Sequence, residues 1–191
     1  MYNLDEAFRM VDQIDSLEQL IEVEESLKDV SFTKIFWEQR KIALNGETDV
    51  IRKRARIKCR MIARSYDAAI PVSKSVQRFR TPHGFAGIHI SAYAKVGKGC
   101  TIFQHVVIGS NTLSDSKNQG FPTVGENVYI GAGAMVIGNV RIGNNVRIGA
   151  NAIITKDVPD NCVVVASGTR IIQREEPLDN TFVAAEVYKE K

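Results

Sequence analysis

Three histidines, His83, His89 and His105, are the only imidazoles in this 191-residue sequence. An imidazole titrates near neutrality, so a base that must take a proton from a hydroxyl at neutral pH is sought among these three. Other reactive groups are less well placed. Cys59, Cys100 and Cys162 are scattered, with no Cys-x-x-Cys pair, no metal-ligand spacing and no recognisable nucleophile context. Arg52, Lys53, Arg54, Arg56, Lys58, Arg60 and Arg64 form a run with no acid between Ile51 and Tyr66. Such a run reads first as a solvated basic face and second as a site for phosphates. Nucleic acid is disfavoured, because no interleaved aromatics accompany the charge and the net charge is only +3.

The elements that position these residues follow from a period of six. Ile or Val recurs at Ile90, Val96, Ile102 and Ile108, and again at Val124, Ile130, Val136, Ile142, Ile148 and Ile154. Four residues after each anchor stands a small or β-branched partner, from Ala94, Cys100, Val106 and Thr112 through to Ala152 and Val158. Six of the ten anchors are followed by glycine. Neither a half-buried strand nor a helix has this period. It specifies a solenoid of short strands, three hexads to a coil, with anchors and partners pointing inward. Glycine and Asn144, Asn145 and Asn151 are expected to supply the backbone angles of the corners. A sandwich would instead space its strands by 8–12 residues. The phase breaks between Ile108 and Val124, which predicts a polar loop over 110–123 extruded from a rigid scaffold.

Residues 1–66 read as helical. Asn3-x-x-Glu6 and Ser16-x-x-Gln19 resemble capping boxes, a third segment holds Trp37 and stops at Asn45-Gly46, and a fourth runs from about Thr48 to Tyr66. The expected role of this region is an N-terminal α-helical cap over the open edge of the first coil. A tail over 173–191 leaves the six-residue phase. The chain is 44% hydrophobic and 25% charged, which excludes wholesale disorder. With no run of about 18 apolar residues and no secretory signal, no membrane span is expected, and three unpaired cysteines point to the cytoplasm.

VGENVYIGAGAMVIGNVRIGNNVRIGANAIITKDVPDN resembles the hexapeptide-repeat acyltransferases, and PHGFAGIHISAYAKVGKGCTIFQHVVIG is similar to serine acetyltransferases and the related polysaccharide O-acetyltransferases. The resemblance covers roughly residues 67–172. It implies a mainly β fold, a left-handed parallel β-helix, and acetyl-CoA as acyl donor. It also implies direct transfer without a metal and a homotrimer with active sites between subunits.

By this resemblance His83 is the general base and His105, at an outward corner, a second polar contact. His89 faces outward on a strand and carries no role. An aspartate orients the histidine in serine acetyltransferases; Asp67 is one position from the matching place, and a backbone carbonyl is the alternative. Ser110, Ala132 and Ala150 match positions along the acyl carrier, while Thr155, Lys156 and Arg170 match those toward its adenine and phosphate end. Where serine acetyltransferases carry Arg-His-Pro in the loop, this chain has Gly120-Phe121-Pro122. That loss predicts an uncharged acceptor such as a saccharide hydroxyl, with Lys117 as a partial substitute for the arginine. Serine and an amino sugar are the alternative acceptors. A carbonic anhydrase of the same fold would need clustered metal-binding histidines, a spacing absent here.

Overall fold

A computed structural model describes residues 31–166. The expected helices opening at Asn3 and Ser16, Arg170 and the 173–191 tail lie outside the described residues. Two helices come first, α1 (Phe32–Asn45) and α2 (Asp49–Ser65). Ser31 caps α1 by accepting from the Lys34 N–H, and Thr48 caps α2 by accepting from the Ile51 N–H. Gly46 ends α1 as expected, but with φ −60 rather than in a left-handed turn. Its lack of a side chain is needed for space, since a Cβ there would lie 2.8 Å from the Ile42 carbonyl oxygen.

Eleven two- and three-residue strands follow: β1 (His89–Ile90), β2 (Lys95–Val96), β3 (Thr101–Ile102), β4 (Val107–Gly109), β5 (Thr123–Val124), β6 (Tyr129–Ile130), β7 (Met135–Ile137), β8 (Arg141–Ile142), β9 (Arg147–Ile148), β10 (Ile153–Ile154) and β11 (Val163–Val164). They form three parallel sheets around a triangular coil. The first sheet is β1-β4-β7-β10, the second β2-β5-β8 and the third β3-β6-β9-β11. A regular coil takes eighteen residues, as from His89 to Val107 and from Met135 to Ile153. Between Val107 and Met135 ten more are inserted, which is the extruded loop. An Asn111–Gly120 antiparallel bridge closes that loop, so the protruding part is shorter than 110–123. Parallel pairing throughout these sheets rules out the sandwich.

All ten Ile/Val anchors are buried, none more than 4% exposed. Their partners are buried too, except half-buried Val158 and exposed Thr112. Thr112 was expected inside; it follows the last anchor before the break and is carried outward with the loop. The corners also need a correction. Gly97, Gly125, Gly131 and Gly143 do not supply positive φ; a Cβ on each would come within 3.0 Å of the backbone of the next coil. Left-handed angles fall two residues later, at Gly99, Asn127, Asn145 and Asn161 on one corner and at Gly87, His105, Gly133 and Asn151 on another. Asn145 and Asn151 therefore act as expected. Asn144 does not, and instead its Oδ1 accepts from the Glu126 N–H at 2.8 Å.

The first coil is irregular. Ala69, Val76 and Arg80 pair with His89, Val96 and Thr101 across twenty or twenty-one residues through isolated bridges. Packing from the helices supports it. Phe36 and Trp37 of α1 meet Phe85 and Phe79 edge-on, with centroids 4.9 and 5.0 Å apart. Arg40 donates to the carbonyls of Ser73 and Val76 while its guanidinium sits 5.4 Å from the Trp37 ring centre.

Candidate active site

His83 lies in the turn 82–87, where the first coil spends eight residues between Arg80 and His89. Two anchors hold that turn. Phe85 is fully buried among Phe36, Trp37, Phe79 and Tyr66. Gly84, at φ +69, passes so close to Tyr66 that a Cβ would sit 3.2 Å from its ring, and the Gly87 N–H donates to the Tyr66 carbonyl at 3.0 Å. With Phe85 driven into the core, His83 is left exposed at the rim. Its imidazole tilts over Phe103 at 5.8 Å, and Phe103 in turn over Tyr129 at 5.0 Å.

His105 stands on the next coil at the same corner. Its N–H donates to the Ala86 carbonyl at 2.8 Å, and its φ is +59. Above it, in the turn that carries His83, Gly87 must be glycine: a Cβ there would fall 2.2 Å from His105 Nδ1. The column continues downward, because the Gly133 N–H donates to Gln104 and the Asn151 N–H to Ala132. Ala86, in the turn that carries His83, thus stacks over Gln104, Ala132 and Ala150 on one edge. Gln104 Oε1 is buried there without a hydrogen-bond partner among the described residues.

The remaining expected residues go elsewhere. Ser110, Thr155 and Lys156 lie on the corner between the first and second sheets, one strand away from the histidine corner. Asn118 fastens the loop to that corner, with Nδ2 donating to the Ile137 carbonyl at 3.0 Å and to Thr155 at 3.4 Å. Within one subunit the loop and His83 therefore stand on different corners. Asp67 is exposed in the turn after α2, at φ +48, with its N–H bonded to the Arg64 carbonyl. No hydrogen bond joins its carboxylate to His83 among the described residues. His89 is exposed on β1, as its phase predicts.

Sequence reasoning missed the ring partners Phe103 and Tyr129 and the Phe85 anchor. A signal for Phe103 existed: it stands directly after an anchor, where six of the ten repeats place glycine. Burial pushes the Cys59 thiol up to about 11, against the pull of Arg40 and Arg56, and burial raises Cys100 also. Both stay protonated at neutral pH. The basic helix meets the solenoid at a groove of about 520 Å³ lined by Arg56, Arg60, Arg64, Ile70, Val72 and Ile90. That groove is set against the first sheet and shares no lining residue with the histidine corner.

Comparison with known proteins bears on this geometry. Residues 121–156 match the bacterial transferase hexapeptide (six repeats) family. A serine acetyltransferase of Synechococcus elongatus is 43% identical over 103 residues, 52% of this chain and 41% of that protein. One from Synechocystis is 46% identical over 102 residues, 51% of this chain and 40% of that protein. The chain spans about two fifths of the length of these relatives. The structure of Entamoeba histolytica serine acetyltransferase isoform 3, solved with cysteine, superposes with a TM-score of 0.60 and 28% identity over 89% of this chain and 58% of that one. The parallel strands, the hexapeptide repeats and this neighbour fit a left-handed β-helix. Among the described residues no helix is long and apolar enough to cross a membrane. These relatives overturn the expectation of a saccharide acceptor. That expectation treated the missing Arg-His of the loop as the sole means of holding a carboxylate, whereas a guanidinium on another element can form the same bidentate pair.

Proposed function

We propose that this chain, a hexapeptide-repeat protein of the serine acetyltransferase-like branch, is an acetyl-CoA-dependent O-acetyltransferase whose acceptor is the serine hydroxyl. The observation that carries the reading is the corner where His105 packs against Gly87 of the turn that also carries His83, in a chain 43–46% identical to serine acetyltransferases over about half its length. His83 takes the proton of the acceptor hydroxyl as the oxygen attacks the thioester carbonyl. The C–S bond then breaks and the thiol leaves with a proton. The Phe103 ring limits where the imidazole can turn, and Asp67 serves only through a rearrangement of its turn. Arg80, exposed on the same coil and in register with Thr101, is the cation we assign to the serine carboxylate.

Carrier contacts at Ala132 and Ala150 stand on one corner and those at Ser110, Thr155 and Lys156 on another. One carrier can touch both sets by lying between the histidine corner of one copy and the loop corner of the next, which supports the homotrimer reading. The free thiols of Cys59, Cys100 and Cys162 suit a reducing, cytoplasmic setting.

The test is thiol release from acetyl-CoA with serine and, in parallel, a panel of sugars. Serine-dependent turnover is expected, with His83→Ala lowering kcat by about 10²–10⁴-fold and Arg80→Ala raising KM for serine with little change in kcat. Turnover on a sugar but not on serine would sink the acceptor assignment, and an unchanged rate in His83→Ala would sink the base.

A further inference from the structure

Helix α2 has a second apolar stripe, left exposed by its packing among the described residues. Ala55, Cys59, Ile62 and Ala63 are buried against α1 and the first coil. At 100° per residue, Val50, Ile57 and Met61 point within about 40° of one another on the opposite side. They are 58%, 55% and 52% exposed. Exposed Lys53 and Arg64 flank this stripe on one side, and exposed Arg54 and Lys58 on the other. Among the described residues, the one ion pair on α2 joins Arg52 to Asp49. An apolar line between two rows of cations fits a partner that is apolar along its centre and acidic at its margins.

The chain carries such a segment. Residues 1–30 hold nine carboxylates against Arg9 and Lys28, interleaved with Leu4, Phe8, Val11, Ile14, Leu17 and Leu20 at three- and four-residue spacing. That segment joins the described residues at Ser31, one turn before Phe36, whose carbonyl accepts from Cys59 Sγ. Ser31 is therefore next to the packed face of α2, which carries Cys59, and the stripe lies on the far side of that helix, about one helix width away. From Val50 to Met61 the stripe is about 16 Å long, well within the reach of thirty residues. Tethering makes the encounter intramolecular, at an effective concentration in the millimolar range. Pairing α2 with α2 of another copy would instead face seven cations with seven.

We propose that the Val50–Ile57–Met61 stripe and its flanking cations are the docking surface for residues 1–30 of the same chain, held jointly by apolar burial and charge. The full-length chain is treated with a carbodiimide, which joins carboxylates to amines in direct contact, and linked peptides are mapped by mass spectrometry. Links from the acids of residues 1–30 to Lys53 and Lys58 are expected in protein that still runs as a monomer on a denaturing gel. They should fall severalfold in Ile57→Glu/Met61→Glu, and also in 1 M salt, where the screening length shrinks to about 3 Å. Both substitutions are at exposed positions, and an unchanged thermal melt of the solenoid verifies folding. Three results would overturn the proposal: absence of these links, links confined to the dimer band, or sedimentation of the chain with phosphatidylserine vesicles through the same stripe in place of the links. The dimer band would mark a second copy as the occupant, and sedimentation an anionic membrane surface.

Discussion

The first coil and the coils after the loop solve the same structural problem in different ways. From Thr123 to Ile154 each coil lies on the next in register, and its corners are closed by ladders of identical groups. Asn127 Nδ2 donates to Asn145 Oδ1 at 2.9 Å, and Asn145 Nδ2 to Asn161 Oδ1 at 3.1 Å. Over residues 69–88 only isolated bridges hold the strands, and the corner that should match 103–105 swells into the turn 82–87. There the helices take over through Phe36, Trp37 and Arg40. The difference teaches where chemistry can be placed. A repeating coil fixes every outward residue by the one below it, whereas the swollen coil frees His83 from the ladder and restrains it through Phe85 and Tyr66.

Truncating one anchor in each region should separate them most strongly. Phe85→Ala removes a fully buried ring from a five-ring cluster, a loss of about 3–5 kcal/mol. Ile130→Ala, in the regular coils, should cost about 2–5 kcal/mol. Stability alone would barely distinguish the two. Activity should: Phe85→Ala is expected to lower kcat while the protein is still folded, since it unpins the turn bearing His83, and Ile130→Ala is expected to leave kcat near wild type below its own melting temperature. Equal effects on kcat at matched stability would show that the aromatic cluster has no special hold on His83.

A smaller separation concerns the corners. Asn145 combines φ +56 with two ladder hydrogen bonds. Asn145→Gly keeps the backbone relaxed and loses only the bonds, roughly 1 kcal/mol in all. Asn145→Ala should lose the same bonds and add strain of about 1 kcal/mol or more. Denaturant midpoints of the two variants measure the gap, and identical midpoints would mean that left-handed geometry costs nothing at this corner.

These contrasts also mark what was legible in the sequence. The repeat was legible because an inward Ile or Val every sixth residue is a one-dimensional signal, and all ten anchors are buried. The break after Ile108 was legible for the same reason, though its exact closure at Asn111 and Gly120 depends on a pairing between residues nine apart. The role of the glycines was misread. A corner needs positive φ at one position and empty space at another, and a sequence shows glycine at both without saying which need it meets. His83 and His105 could be singled out, but their shared corner depends on the swollen first coil, which breaks the period that would have aligned them. Nothing in the repeat singles out Phe85. Its partners Phe36 and Trp37 lie almost fifty residues earlier, on a helix whose docking no repeat encodes. The acceptor failed for a different reason: the loop's missing Arg-His was weighed as the sole means of holding a carboxylate, although a cation on another element can form the same pair.

The smallest effect is a pH dependence confined to the regular coils. Asp160 Oδ1 accepts from the Asn144 N–H at 2.8 Å, and Oδ2 from Asn144 Nδ2 at 3.3 Å. The backbone bond first, then the side-chain bond, holds the carboxyl below the ordinary carboxylate range. A depressed folded pKa means the unfolded chain binds the proton more readily, so the contribution is present above the unfolded value of about 3.9 and is lost as pH falls through the lower folded one. Because the group is fully exposed, the effect is small and fades further in salt. The melting temperature of wild type should therefore drop slightly more than that of Asp160→Asn between pH 5 and pH 2. Since Asp160 bonds only within the stacked coils, the drop should be the same whether or not Phe85 is intact. If the Phe85→Ala background abolishes it, the last corner senses the first coil, and the two regions are not as independent as their separate modes of support imply.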